Sequence, residues 1–308
     1  MPGFRVALFL LDSVNDYQAL VQAECEKAAR RHDLRLTTLS ADKSVDTQLR
    51  QLRAQLAESE STRARAFIVC PVSEMALLPL AHDAAKLGIA WVFLSRWNDA
   101  VHDLRRQYSS VPIFAVLPDQ VDIGRIQGQQ LRALARPGDE LVCIQGPIGT
   151  YSTRLRRSGL ETELAGQHAF SVSHFNGDWS QAGGESAMKT WLSTFPASKI
   201  PPFVIAAQND SMAVGARGAF ATWASVNGQP PRPDLIALGC DGSPGFGQRL
   251  VTSGELSATV IVPPVSGRAV EELVSAFRGG RRPEAEIQVA VRSHPDVGSL
   301  TSARVRHR

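Results

Sequence analysis

Short apolar runs alternate with amphipathic stretches along almost the whole chain, and this alternation limits the folds that the sequence can adopt. Most of the runs are too continuously apolar for a sheet with one wet face, so they predict strands that are covered on both faces. Between the runs, apolar residues recur at helical spacing, as Tyr17, Val21 and Cys25 do. The predicted strands occupy 6–11, 34–39, 66–70, 89–94, 140–145, 170–175, 203–207, 235–240 and 256–262.

Alternating strands and helices are typical of an α/β fold with parallel sheets and right-handed crossovers. With 308 residues, the chain holds too many such units for one short doubly wound sheet. We therefore expect two similar doubly wound parallel-sheet lobes joined by three crossovers. The crossings are expected after the extended segment 108–118, at the Val262-Pro263-Pro264 step and near a final short strand at 287–292. The N-terminal lobe would comprise 1–117 plus 264–290, and the C-terminal lobe 118–263 plus 291–308.

The charge pattern argues against a nucleic-acid partner. The net charge is only +3, and the basic residues are scattered with acidic residues between them, whereas a nucleic-acid binder concentrates basic side chains on one face. No apolar run reaches the ~18–20 residues that span a bilayer, so we expect no direct membrane insertion. The first residues lack the basic start and the cleavage site of a signal peptide. Either the chain is cytoplasmic or a leader is missing from this sequence.

The sequence offers no convincing catalytic or metal-binding constellation. Asp12 and Asp16 are the nearest approach to paired carboxylates, and acidic residues at a helix start more often complement the helix dipole. The histidines lack metal-ligand spacing, and the cysteines, at positions 25, 70, 143 and 240, form no CxxC pair. We expect buried free thiols, which favours a reducing compartment over an oxidising one. We therefore predict a protein that is not an enzyme and that uses no metal and no cofactor.

Polar side chains follow nearly every predicted strand, at the edge where open parallel sheets bind their ligands. Amide, carboxylate and guanidinium groups match the hydroxyls of a sugar, and flat aromatic rings match its apolar faces. The sequence therefore predicts a site for a small polar ligand, with a sugar as the first expectation. Residues at these strand ends include Asn15 and Tyr17 after the first strand, Ser95, Arg96 and Trp97 after the fourth, and Arg154, Trp179, Asn209 and Asp241 after later strands.

Three motifs resemble those of type I periplasmic sugar-binding proteins, most closely the ribose and galactose receptors. Residues 207–216 read AQNDSMAVGA and match the family's AQNDxMAxGA pattern in full. Residues 238–242, LGCDG, resemble its GxDG, and residues 145–156 resemble its QGxxGTxxxRxR. The resemblance covers residues 5–292 and implies the type I periplasmic-binding-protein fold. It also implies ligand contacts from Asn15, Tyr17, Arg96, Arg154, Trp179, Asn209 and Asp241.

Three positions depart from the ribose-type pattern. Ser95 stands where the family has an aspartate and Val262 where it has a glutamine, so two partners for ligand hydroxyls are lost. Gln18 replaces a usual aromatic residue, although Trp97 could supply a ring in its place. The pocket that the resemblance implies is therefore more positive than the ribose type. We expect a ligand other than plain ribose, either with fewer hydroxyls or with a carboxylate.

The resemblance implies a mechanism of hinge closure, in which the lobes close on the ligand and a membrane partner recognises the closed form. The first expectation is a monomeric periplasmic receptor that delivers a sugar-like ligand to an ABC permease. The alternative is a ligand-sensing module for a sensor protein or a transcriptional regulator, which the free thiols and the missing leader favour. A third class, an enzyme on a related scaffold, would need a reactive group that the sequence does not offer.

Overall fold

The computed structural model of the protein describes residues 3–95, 99–166 and 170–300, in which helices and strands alternate. Up to residue 118 the elements are β1 (Arg5–Leu10), α1 (Asp16–Arg31), β2 (Arg35–Ser40), α2 (Val45–Leu56), β3 (Ala66–Val69), α3 (Glu74–Lys86), β4 (Ala90–Leu94), α4 (Ala100–Gln107) and β5 (Ile113–Pro118). From 119 to 263 they are α5 (Gln120–Leu134), β6 (Glu140–Gln145), α6 (Tyr151–Leu164), β7 (Ser171–Asn176), α7 (Gln181–Leu192), β8 (Phe203–Ala207), α8 (Asp210–Val226), β9 (Ala237–Asp241), α9 (Gly247–Thr252) and β10 (Ala258–Ile261). The last are α10 (Ser266–Gly279), β11 (Glu286–Val289) and β12 (Arg292–His294).

The chain forms two compact units, one of residues 1–118 and 264–289 and the other of residues 119–263 and 290–308. The main chain therefore passes three times from one unit to the other. The first unit's sheet has the order β11-β5-β4-β3-β1-β2 and is parallel throughout. The second unit's sheet has the order β12-β10-β9-β8-β6-β7, in which β12 alone of the described strands runs antiparallel. The prediction of an α/β fold with two doubly wound, largely parallel sheets is confirmed.

The end of the chain differs from the sequence-based expectation. The single strand predicted at 287–292 is two strands that belong to different sheets. The first, β11, pairs with β5 in the first unit, and the second, β12, pairs with β10 in the second unit. The chain crosses between the units at residues 289 and 290, so one short apolar stretch supplies an edge strand to each sheet.

Both faces of each sheet are covered by helices, as the continuously apolar strands predict. Every residue of β4 is buried. In the second unit, Val142 and Ile205 pack with residues of α7 and α8, whereas Leu141 and Val204 pack with residues of α5 and α6. Consecutive residues of a strand point to opposite faces, so these two clusters are the two layers of one core.

Helices α5 and α6 approach each other through two glycines. A Cβ atom on Gly124 would lie 1.9 Å from the carbonyl oxygen of Arg156, and one on Gly159 would lie 2.0 Å from that of Val121. Only glycine permits backbones to come this close. The contact fixes the rotation of α6 about its axis, so that the Arg156 side chain is held inside the unit.

Candidate functional site

In the first unit, Asn15 caps α1 just beyond the carboxyl end of β1. Its side-chain oxygen accepts hydrogen bonds from the backbone N–H groups of Tyr17 and Gln18, at 2.9 and 3.2 Å. The buried carboxylate of Asp12 accepts a hydrogen bond from the N–H of Asn15 at 2.7 Å and so fixes the turn before the helix. Because the cap occupies Oδ1, the group of Asn15 that remains for a ligand is Nδ2, a donor.

The structure brings two more of the predicted ligand residues together. The hydroxyl oxygens of Tyr17 and Ser95 lie 3.5 Å apart, although they follow different strands. Ser95 has a left-handed backbone, with φ of 62°, where the chain leaves β4. The next two candidates, Arg96 and Trp97, lie outside the described residues. We call Asn15, Tyr17 and Ser95 the first-unit group.

Gln18, which replaces a usual aromatic residue, has a structural role. Its side chain is buried, and its Oε1 accepts a hydrogen bond from the backbone N–H of Leu11 at 2.9 Å. Asp12 likewise serves the turn after β1, since it accepts from two backbone N–H groups. Both polar side chains therefore build the loop that presents Asn15 and Tyr17.

In the second unit, Asn209 caps α8 beyond the carboxyl end of β8. Its Oδ1 accepts a hydrogen bond from the N–H of Met212 at 2.9 Å, and its Nδ2 donates to the carbonyl oxygen of Trp179 at 2.8 Å. Only 2% of the residue is exposed. In this structure both ends of the Asn209 amide therefore bond to protein atoms, and one of those bonds holds Trp179.

The Trp179 ring lies directly over the backbone of the loop after β6. A Cβ atom on Gly146 would lie 2.1 Å from the ring, so glycine is required where the indole rests. Trp179 has a φ of 71°, a left-handed conformation that is uncommon for a bulky residue. The Arg156 guanidinium lies 5.6 Å from the ring centroid, within the range of a cation–π contact.

Arg156 connects these elements from inside the unit. Its Nε donates to Gln120 Oε1 at 2.7 Å, and its Nη1 donates to the carbonyl oxygen of Gln208 and lies 3.3 Å from Cys240 Sγ. The same Nη1 lies 3.9 Å from a carboxylate oxygen of Asp241. Arg156 is only 7% exposed, so its charge needs partners inside the protein. These hydrogen bonds and the Asp241 carboxylate provide them.

Arg154, the arginine predicted from the sequence, stays a predicted ligand contact, and the structure adds Arg156 of the same helix to the candidate residues. Arg154 is exposed on α6, whereas Thr153, Arg156 and Leu160 form part of the buried face of that helix. Two residues that are two positions apart on a helix point in nearly opposite directions, about 200° apart. The helical spacing of 153, 156 and 160 was the signal that would have selected Arg156 from the sequence.

Asp241 ends β9 with a φ of 94°, and its carboxylate is partly exposed. Next to it, Asp210 is 2% exposed. Burial, and then the neighbouring charge of Asp241, raise the pKa of the Asp210 carboxyl to about 8. We call Arg156, Trp179, Asn209, Asp210 and Asp241 the second-unit group.

Val262 is buried, and its backbone N–H donates to the carbonyl oxygen of Asp241 at 3.0 Å. Its apolar side chain stands where the ribose-type pattern has a glutamine that would bind a ligand hydroxyl. All four cysteines are buried and free, as predicted. Burial raises the pKa of Cys25 and of Cys143 to about 12, and it also raises the pKa of Cys240, so these thiols stay neutral at physiological pH.

Residues 3–95, 99–166 and 170–300 contain neither a candidate metal site nor a candidate membrane span. Within that part of the chain, His, Cys, Asp and Glu side chains form no group of three or more that could hold a metal ion. None of its helices combines the length and the apolar character that crossing a membrane requires.

The chain is similar to several sugar-binding proteins. It is 28% identical over 201 residues to the ribose import binding protein RbsB of Escherichia coli (strain K12), a match that covers 64% of each chain. It is 25% identical over 220 residues to a D-ribose/D-allose-binding protein of Pseudomonas aeruginosa, covering 70% of this chain and 65% of the relative. The match thus spans slightly less than two thirds of the length of these curated relatives.

A solved structure matches over nearly the full length. It is the periplasmic binding protein component of the arabinose ABC transporter from Shewanella sp. ANA-3, bound to α- and β-L-arabinofuranose, with a TM-score of 0.80 and 20% identity. The match covers 98% of this chain and 96% of that one, which shows that the two share a fold. The family model described as "Periplasmic binding protein domain" matches residues 6–277. The chain therefore belongs to the periplasmic binding protein family.

Proposed function

We propose that this protein is the solute-binding receptor of an ABC-type importer and that its ligand is a sugar or a sugar derivative. The observation that carries the proposal is the second-unit group, in which a carboxylate, a guanidinium and an indole ring lie at the carboxyl edge of one sheet. Ligands of open parallel sheets bind at this edge. We further propose that the protein acts in the periplasm, as a monomer without a nucleic-acid partner.

The chemistry of this group suits a small polyhydroxylated ring. The partly exposed Asp241 carboxylate can accept hydrogen bonds from two hydroxyls, and Arg156 holds it in place from the buried side. The Trp179 ring offers a flat surface to the C–H face of a sugar. In the first unit, Asn15 Nδ2 and the Tyr17 and Ser95 hydroxyls are further hydrogen-bonding groups.

The substitutions at 95 and 262 favour a ligand other than plain ribose. Ser95 and Val262 remove two partners for hydroxyls, and a site that leaves ligand hydroxyls unpaired discriminates against that ligand. The proteins compared above are named for ribose and D-allose or were solved with arabinofuranose, so proteins that share this fold accept different sugars. We propose a ligand with fewer hydroxyls than ribose or one that carries a carboxylate.

The protein does no chemistry on this ligand in our proposal. The matched family and the relatives named above are binding proteins, and the buried thiols are held neutral. Asp12 and Asp16 were the nearest approach to a catalytic carboxylate pair, but the Asp12 carboxylate accepts hydrogen bonds from backbone N–H groups of the turn after β1. Binding without turnover is therefore the expected result with every ligand tested.

Isothermal calorimetry with a panel of pentoses, deoxy sugars, polyols and sugar acids tests the proposal. We expect at least one compound of this panel to bind with a Kd in the micromolar range or tighter, and ribose to bind at least about tenfold more weakly, a difference of ~1.4 kcal/mol. Binding of no compound would contradict the assignment as a sugar receptor. Tight binding of ribose together with failure of the sugar acids would contradict the proposed ligand class.

Alanine variants of two tryptophans, one inside the second-unit group and one outside it, test the role of the aromatic ring in binding. Trp179→Ala should weaken binding at least about tenfold, because an aromatic wall contributes on the order of 1–2 kcal/mol. Trp223→Ala removes an equally half-buried indole that stacks on Phe220 in α8, outside the group, and should leave the Kd within about twofold. Equal losses in the two variants would mean that Trp179 acts through stability alone.

Hinge closure stays a prediction for this chain. Small-angle X-ray scattering with and without the best ligand of the panel tests it, because closure lowers the radius of gyration. An unchanged radius at saturating ligand would contradict it.

A further inference from the structure

The Asp210 carboxyl is enclosed by three elements of the second unit. Its Oδ2 accepts a hydrogen bond from the backbone N–H of Gly242 at 2.8 Å, and its Oδ1 lies 2.6 Å from the Thr259 hydroxyl of β10. Cβ atoms on Gly239 of β9 and on Gly247 of α9 would each lie 2.1 Å from a carboxyl oxygen. The carboxyl therefore fills a space that two glycines leave open, and water cannot reach it.

These contacts fix the turn that carries the ligand-binding carboxylate. Asp241 and Gly242 have φ values of 94° and 56°, both in the left-handed range. The bond from Gly242 to Asp210 ties this turn to the first residue of α8. A non-glycine residue such as Asp241 keeps an unfavourable backbone conformation only where its surroundings fix it. Asp210 is one of the groups that fix it.

Both protonation states of Asp210 have hydrogen-bond partners. The Gly242 N–H is a donor, so Oδ2 must accept from it in either state. The Thr259 hydroxyl is both a donor and an acceptor. It can donate to an ionised Oδ1, and it can accept the proton of a neutral one. Both carboxyl oxygens of Asp210 therefore keep a hydrogen-bond partner in either state, so the carboxyl can gain or lose its proton in place.

The charged and titratable groups that face Asp210 are, among the described residues, Asp241 and Cys240 of β9 and Arg156 of α6. The Cys240 thiol stays neutral because burial raises its pKa. Burial and the charge of Asp241 outweigh the opposing effects of Thr259, Gly242 and Arg156, so that the pKa of Asp210 lies at about 8. At neutral pH most molecules therefore carry a proton on this carboxyl.

We propose that Asp210 is a positioning residue for ligand binding: it holds the Asp241–Gly242 turn, and its ionisation weakens the binding of ligand to Asp241. This inference rests on the proposed function, because it takes Asp241 to accept hydrogen bonds from the ligand. A bound ligand excludes water from Asp241. Two carboxylates repel each other more strongly when less water screens them, so the ligand and the Asp210 proton favour each other's binding.

The test is the pH dependence of ligand affinity. We expect the Kd of the wild-type protein, for the best ligand of the panel, to rise by about threefold to tenfold from about pH 6 to about pH 9. Asp210→Asn cannot ionise and can still accept from Gly242 and donate to Thr259, so its Kd should change by less than about twofold over the same range. Asp139→Asn replaces another buried aspartate of the second unit, which accepts from the N–H of Arg136, and should follow the wild type. A flat wild-type profile, or an Asp210→Asn profile as steep as that of the wild type, overturns the proposal.

Two measurements without ligand separate this inference from the proposed function. Infrared spectroscopy of wild-type protein with 13C-labelled aspartate should show one neutral carboxyl at pH 7 that ionises near pH 8. The folded protein holds this proton more tightly than the unfolded chain, whose carboxyl has a pKa near 3.8. The stabilisation by the proton is therefore complete below that pKa and is lost as the pH rises through about 8. The free energy of unfolding of the wild type should therefore fall relative to that of Asp210→Asn as the pH rises from about 3.8 to about 8.

If no panel sugar binds while the neutral carboxyl is seen, the proposed function fails and the proton-holding role of Asp210 stands. If Asp210 is ionised at pH 7, the inference fails whatever the ligand proves to be. Because the infrared titration uses the wild-type protein, it decides this point even if Asp210→Asn does not fold.

Discussion

The side chain of Asn209 donates a hydrogen bond to the backbone carbonyl of Trp179, with 2.8 Å between the nitrogen and the oxygen. The same amide accepts from the N–H of Met212 and so begins α8. One buried side chain thus caps a helix and holds the left-handed residue whose ring forms the aromatic wall of the second-unit group. The position of that ring depends on the helix cap.

Asn209→Ala should therefore affect stability and the indole together. We expect a loss of about 2 kcal/mol in the free energy of unfolding, because the variant removes an N-cap and leaves the buried Trp179 carbonyl unpaired. Asn227→Ala is the control, since Asn227 Nδ2 donates to the Trp223 carbonyl at the same 2.8 Å but lies exposed at the other end of α8. Urea denaturation should show a loss below about 0.5 kcal/mol for this control. Equal losses would refute the double role of Asn209.

Arg154 and Arg156, both in α6, should respond differently to the same substitution. Arg156→Lys keeps the charge but loses the Nε bond to Gln120 and the planar geometry at Nη1. We expect a loss of about 2–3 kcal/mol in stability and a Kd for the ligand that is at least about tenfold higher. Arg154→Lys changes an exposed side chain and should alter stability by less than about 0.5 kcal/mol. Calorimetry in which only Arg154→Lys weakens binding would support Arg154, and not Arg156, as the residue on which ligand binding depends.

Gly146 is expected to be intolerant of a methyl group. In Gly146→Ala the new Cβ would meet the Trp179 ring at 2.1 Å, so the indole must move and ligand binding should weaken at least about tenfold. Gly218→Ala in α8 is the control, because its new Cβ would meet no atom within 4 Å apart from the backbone of its own helix. There alanine should stabilise the protein by about 0.5–1 kcal/mol through its helix propensity and leave the Kd unchanged. Wild-type affinity of Gly146→Ala would show that the ring position is unimportant for binding.

Ser95→Asp tests the proposed ligand class directly. Aspartate tolerates a φ of 62° better than most residues, so the backbone should accept it. Because the change restores a hydroxyl partner and adds a negative charge, we expect the Kd for ribose to fall by about threefold to tenfold and the Kd for a sugar acid to rise. Ser95→Ala removes the hydroxyl without adding charge, and calorimetry on both variants separates the two effects. A gain of affinity for the sugar acid in Ser95→Asp would contradict a positively charged pocket.

Most of the fold could be predicted from the sequence, because most of the strands are short apolar runs that lie between helical patterns. The sequence did not resolve the end of the chain, where one short stretch contributes β11 to one sheet and β12 to the other. Pairing between strands depends on partner strands that lie far away along the chain. The local pattern at 287–292 does not show which strands these partners are.

The site was predicted less completely. The positions of Asn15, Tyr17, Ser95 and Asp241 followed from the rule that ligands bind beyond the strand ends. The sequence analysis missed Arg156, because the burial of that residue depends on which face of α6 turns inward, and the glycine contact of α5 with α6 decides that. The buried roles of Asn209 and Asp210 depend on hydrogen bonds to residues 30 or more positions away, which a list of strand-end residues does not contain.

The three passages of the main chain between the units have a consequence for biosynthesis. When a ribosome has made the first 263 residues, ten of the twelve described strands exist, and the second unit lacks its antiparallel edge strand β12 and the residues that follow it. The first unit still lacks α10 and β11, although its other strands were made first. We therefore expect the first unit to complete its fold only after α10 and β11 have been made. A nascent chain stalled before residue 264 would expose the β5 edge to chaperones.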